Sequence, residues 1–154
     1  MSRPDELILE ELPGRPEELL EVVVRLAMPS VVRLVDPAVE LLSRRCFADL
    51  EASRQAQFRL RVALAEALAN AIQCGNRNDP AKLVRISANL FPDRIRVCVS
   101  DEGSGFDPED VPDPRDPVQV QSPCGRGLFL IRNLAQEVEF NEKGNTIWMT
   151  LPRR

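Results

Sequence analysis

The chain has 154 residues, with 24 acidic against 20 basic side chains, a formal charge of −4 at neutral pH and no histidine. That length suits one domain burying roughly two-thirds of the surface its unfolded chain would expose. The missing histidine excludes His-based triads, His metal sites and a phosphohistidine on this chain, and the acidic balance argues against direct nucleic-acid binding.

The four cysteines, Cys46, Cys74, Cys98 and Cys124, form no CxxC pair and are widely scattered, so neither a zinc site nor a disulfide framework is expected. Arg25, Arg33 and Asp36 interrupt the most apolar region before it reaches the roughly 18 to 20 residues of a membrane span. Met1 opens no signal-peptide pattern. The expectation is a soluble cytoplasmic protein with no membrane contact.

Residues 1–20 mix charges with Pro4, Pro13 and Pro16 and read as an N-terminal extension or edge segment. EVVVRLAM, 21–28, predicts a short strand ended by Pro29. Asp36 and Pro37 predict a helix start running to about Leu50, with Val39, Leu42, Cys46 and Leu50 at helical spacing. AQFRLRVALAEALANAIQCGN, rich in Ala and Leu and ending near Gly75, predicts the strongest helix. KLVRISANL and RIRVCVS flank a hairpin turn at FPD. After an acidic loop, GRGLFLIRNLA predicts a glycine-led helix, and EVEFNEKGNTIWMTL a closing hairpin turning at Lys143, Gly144 and Asn145. The order strand, two helices, two strands, helix, two strands predicts an α+β fold: a two-layer sandwich with helices on one face of a mixed, mostly antiparallel sheet.

Three stretches could carry chemistry. On the long helix, Leu60, Leu64, Leu68 and Ile72 form an apolar stripe, while Arg59, Glu66, Asn70 and Gln73 fall within about 60° of each other on the other side. This strip is either a solvated face or, given the small Ala63, Ala67, Ala69 and Ala71 around it, room for a bulky group. A carboxylate and a carboxamide one turn apart could serve as general base and hard-cation ligand. In SDEGSGF the strand alternation of Ile95, Val97 and Val99 continues to Asp101, which should face the core side. A carboxylate there either bonds its own backbone in a glycine turn or meets a donor such as the exocyclic amine of a purine. Gly103 and Gly105 would admit close approach or a positive φ. In CGRGLFLI, Gly125 and Gly127 precede a helix whose free amides and dipole suit phosphate, with Arg126 adding charge; the alternative is an ordinary loop-to-helix junction.

In this order, ExxxN in EALANAIQCGN, DxGxGF in DEGSGF and GxGLxLI in GRGLFLI resemble the N, G1 and G2 boxes of the GHKL (Bergerat-fold) ATP-binding family. The resemblance covers about residues 21–152 and is greatest to bacterial anti-sigma factor serine/threonine protein kinases. It implies a histidine-kinase-like ATPase domain over 21–154 with an ATP lid at about 107–124. Four prolines lie within 108–117 of that lid, and five acids against one Arg within 107–116, a composition that suits a self-repelling loop.

The resemblance also implies ATP and Mg²⁺ as cofactors. Glu66 would be the catalytic base and Asn70 the Mg²⁺ ligand. Asp101 would accept the adenine amine, Gly103 and Gly105 would shape its pocket, and Gly125, Arg126, Gly127 and Leu128 would cradle phosphate. The implied partners are an anti-anti-sigma antagonist, phosphorylated on a hydroxyl, and a sigma factor, with a possible homodimer using EVVVRLAM as an edge. One departure is Cys74, where the family's N box often has histidine. A kinase-inactive or nucleotide-free sequestering module is the alternative function. The ATP-binding domain of a two-component histidine kinase is disfavoured by the absence of a dimerisation helix pair and of histidine.

Overall fold

The computed structural model describes residues 7–48, 51–105 and 123–154, and for 123–126 the backbone alone. Six strands form one sheet: β1 (Ile8–Arg15), β2 (Leu20–Pro29), β3 (Leu83–Leu90), β4 (Arg94–Ser100), β5 (Glu137–Phe140) and β6 (Thr146–Pro152). Their spatial order is β1-β2-β3-β4-β6-β5, and every described pairing is antiparallel, so the expected parallel component is absent from these strands.

Three helices cover one face: α1 (Val35–Cys46), α2 (Arg54–Asn70) and α3 (Pro123–Leu134), with α2 packed between the other two. The register explains why. Leu26, Ile86, Val99 and Ile147 are cross-strand partners in a row on the helix side, whereas Arg25, Ser87, Cys98 and Trp148 form the next row on the open side. Period-2 alternation puts apolar side chains under the helices and leaves the other face mixed, with Arg25, Arg85, Ser87 and Arg96 beside Leu12, Val23, Ala27 and Trp148. Leu26, Met28, Leu42, Leu60, Leu64, Leu68, Ile72, Ile95, Met149 and Leu151 are fully buried between the layers.

Several boundaries differ from the sequence reading. Within 1–20, which reads from sequence as an extension or edge segment, Ile8–Arg15 is a strand, and it pairs with β2 from Ile8↔Ala27 to Arg15↔Leu20. β1 is therefore the sheet edge, and EVVVRLAM is an inner strand with no edge to offer a second copy. Helix α1 starts before Asp36: its N-cap is Leu34, with no side-chain cap bond, and Asp36 and Pro37 lie in the first turn. An acid and a proline suit that position through the helix dipole and the amide proline lacks. Leu50 lies outside the described residues.

The C-terminus is tied down by Arg153, which is 5% exposed. It donates to Cys46 O at 3.0 Å and Phe91 O at 2.8 Å and pairs with Glu21 at 2.7 Å, joining α1, the β3–β4 hairpin and β2.

Candidate functional site

Helix α2 sets the geometry. Ser53 starts it, its Oγ accepting from Ala56 N at 3.0 Å, which satisfies one of the free amides of the first turn. Leu60, Leu64, Leu68 and Ile72 are buried as the i, i+4 stripe requires. The polar strip is not a solvated face, because α3 lies over part of it. A Cβ on Gly127 would fall 2.7 Å from Glu66 Oε2 and 3.0 and 3.1 Å from Asn70 Nδ2 and Oδ1. The Gly127 backbone thus lies against both half-buried side chains, and glycine permits that approach.

Arg59 leaves the proposed group: it donates to Leu134 O at 3.2 Å and ties α2 to the end of α3. Gln73 leaves it too, being exposed, because the helix widens into a π turn at Ala71–Gly75. There Asn76 N donates to Ala71 O at 2.8 Å, an i to i−5 bond. Such turns often accompany functional sites.

The π turn carries Gly75 against Asp101. A Cβ on Gly75 would overlap the Asp101 carboxylate, Oδ1 lying 2.6 Å away, and one on Gly103 would overlap Gly75 O. Asp101 therefore faces the helix layer, as strand parity predicts. Its Oδ1 accepts from Gly103 N at 2.8 Å, while its own N–H donates to Asn145 O at 2.9 Å. Burial raises the Asp101 pKa above its ordinary value, with the Gly103 amide and the charges of Lys143 and Lys82 offsetting part of the rise. Gly105 has φ +82, and a Cβ there would strike Lys143 O in the β5–β6 turn. This glycine is conformationally required.

The third stretch differs in detail. Helix α3 begins at Pro123, so Gly125 and Gly127 lie inside it rather than before it. Its first-turn amides still provide a positive helix end. Leu128 is 3% exposed and packs inward, and Ile131 is fully buried. The Arg126 side chain and lid residues 107–122 lie outside the described residues; Pro123 and Cys124, also assigned to the lid, are helical.

Two groups emerge along one helix. Glu66 and Asn70, in the last turns of α2, meet α3, and Gly75, in the π turn that follows, meets Asp101. Gly75 is nine residues beyond Glu66 and five beyond Asn70, a rise of about 13 Å and about 7 Å at the α-helical step and less across the π turn. Among the described residues no cluster of three His, Cys, Asp or Glu side chains could hold a metal ion. A metal here would rest on the Asn70 oxygen plus ligand and water oxygens, a donor set that fits Mg²⁺, which keeps waters and binds few protein groups.

Sequence reasoning missed Asn76, Asn145 and Ser30. Asn76 is fully buried, its Oδ1 accepting from Glu102 N at 2.7 Å, and Asn145 Nδ2 donates to Gly103 O at 3.3 Å. An asparagine directly after a helix-ending glycine was the available signal. The cysteine expectation is also corrected: Cys74 is disulfide-bonded, whereas Cys46 and Cys98 are free thiols. Wide separation in sequence does not prevent two cysteines from meeting in a fold. Burial pushes the Cys46 thiol up to about 12. No helix among the described residues is long and apolar enough to cross a membrane.

Residues 28–151 match the histidine kinase-like ATPase domain family. The chain is 28% identical over 137 residues to an anti-sigma F factor of Oceanobacillus iheyensis, covering 84% of this chain and 82% of that protein. It is 30% identical over 128 residues to the serine-protein kinase RsbW of Staphylococcus epidermidis, covering 78% and 76%. Against the serine-protein kinase RsbW of Bacillus subtilis it is 36% identical over 98 residues, covering 59% and 61%. These matches, with the antiparallel α+β sandwich, place the chain in the histidine kinase-like (GHKL) ATPase family, among the anti-sigma factor serine-protein kinases.

Proposed function

We propose that this protein is an ATP-dependent anti-sigma factor that phosphorylates a serine or threonine of its anti-anti-sigma antagonist and sequesters a sigma factor. The supporting observation is the arrangement at the end of α2: the Glu66 and Asn70 pair lies against Gly127, and Asp101 lies against Gly75 in the π turn that follows.

In this reading Asp101 accepts the adenine amine, and Gly103 and Gly105 keep the G1 backbone close to the base. The N-terminal turn of α3, with Gly125 and Arg126, faces the phosphates; Gly127 lets the helix approach α2, and Leu128 anchors it to the core. Asn70 would be the protein ligand of Mg²⁺, which would neutralise phosphate charge. Glu66 takes the proton of the antagonist hydroxyl as that oxygen bonds to the γ-phosphorus and the bond to the ADP oxygen breaks. Phosphoryl transfer depends mainly on such positioning and charge placement.

The test is transfer of labelled phosphate from ATP to a serine-bearing anti-anti-sigma protein, by wild type and Glu66→Gln. Retained Mg·ATP binding with most phosphorylation lost is expected for the variant. Equal activity in both proteins would overturn the base assignment.

A further inference from the structure

We infer that Asn76 is a positioning residue for base recognition: it grips the segment carrying Asp101 and so sets the purine preference of the nucleotide site. The inference rests on the nucleotide reading above. Asn76 has no exposed surface, and both polar atoms of its side chain are engaged. Nδ2 donates to Ser30 Oγ at 2.8 Å and to Leu83 O at 3.1 Å, and Oδ1 accepts from Glu102 N at 2.7 Å. Ser30 Oγ in turn donates to Lys82 O at 2.7 Å. One side chain thereby joins the residue after β2, the start of β3 and the residue after Asp101. Glu102 reinforces the joint, its Oε2 accepting from Leu83 N.

Asp101 is held on both sides. Its own N–H is fixed to Asn145 O at 2.9 Å, and the next amide is fixed to Asn76 at 2.7 Å. Oδ1 takes the Gly103 amide at 2.8 Å, and among the described residues Oδ2 has no donor. A free acceptor on a clamped backbone suits the 6-amino group of adenine. Guanine presents a carbonyl there, so two acceptors would face each other with no proton between them. Sites built around one buried hydrogen bond discriminate strongly against a ligand that cannot make it. That discrimination depends on direction, because hydrogen bonds weaken steeply off line. A loosened Asp101 admits water and tolerates the wrong base.

The experiment measures ATP and GTP affinity by calorimetry on the full chain with Mg²⁺, for wild type, Asn76→Ala and Ser30→Ala, with melting curves for each. Single-turnover transfer is read at saturating ATP. Wild type is expected to prefer ATP. In Asn76→Ala the ATP:GTP affinity ratio should fall about tenfold, through weaker ATP binding, while the transfer rate falls far less. Ser30→Ala, which removes one of the two Nδ2 acceptors, should fall between and provides the answer if Asn76→Ala does not fold. A purely structural role would lower the melting temperature and leave the ratio alone; an unchanged ratio in folded variants overturns the inference while the nucleotide reading stands. A wild type that binds neither nucleotide overturns both.

Discussion

Gly127→Ala tests whether the meeting of α2 and α3 sets the reactive geometry. Ordinary van der Waals contact for a Cβ begins at 3.4 Å, yet a methyl at this position would lie 2.7 Å from Glu66 Oε2, so the carboxylate must retreat about 0.7 Å. Asn70 must give by a few tenths of an ångström, its two side-chain atoms lying at 3.0 and 3.1 Å. Both obstructing groups are side-chain ends, so the fold can absorb the methyl. Replacing a helical glycine by alanine also gains up to about 1 kcal/mol of helix propensity. Misplacing a reacting group by about 1 Å costs on the order of 100-fold in rate. The expected outcome is a 10- to 100-fold slower single-turnover phosphorylation at saturating ATP, with an unchanged or higher melting temperature. A wild-type rate in a folded Gly127→Ala protein would refute the claim that this backbone contact spaces the pair.

Other perturbations separate site from scaffold. Asp101→Asn should abolish adenine-selective binding yet raise the melting temperature of the nucleotide-free protein at neutral pH. Burial raises the Asp101 pKa, so its favourable contribution is complete below the ordinary carboxylate value and lost as pH rises through the raised one. The stability gap between the two proteins should therefore close in acid, and a gap that widens there would contradict the sign. Asn70→Ala should weaken nucleotide binding in Mg²⁺ more than in EDTA, compared by titration in the two buffers. Leu64→Ala, at a position 1% exposed in the middle of α2, should cost about 2–5 kcal/mol in urea unfolding. Arg153→Ala strips three partners from the C-terminus and should cost about 3 kcal/mol by the same assay.

Much of the fold was legible because local pattern and tertiary burial agree. The stripe at Leu60, Leu64, Leu68 and Ile72 and the alternation at Ile95, Val97 and Val99 are both buried against each other's layer. β1 was not legible. Its inward side bears Leu9, Glu11 and Pro13 across from Leu26, Val24 and Val22, so a charge and a proline interrupt the apolar face. Glu11 is accommodated by Arg45 of α1 at 3.3 Å, a partner that period-2 reading cannot supply. Prolines are tolerated because this is the edge strand.

The site shows the same division, and its decisive point is the π turn. Continuing 3.6-residue periodicity past Asn70 puts Gln73 beside Glu66 and Asn70 and assigns no role to Gly75 or Asn76. One added residue in the turn rotates everything after Ala71. Gln73 then becomes exposed, Gly75 comes against the Asp101 carboxylate and Asn76 becomes fully buried. The motif spacing nominates the residues of the proposed nucleotide site. It cannot show that the helix changes pitch between its two ends, because no side chain in AIQCG dictates a π turn. The requirement is tertiary: Asn76 finds Ser30, Leu83 and Glu102 only after that rotation. The buried hydrogen bonds made there compensate for the less regular helix.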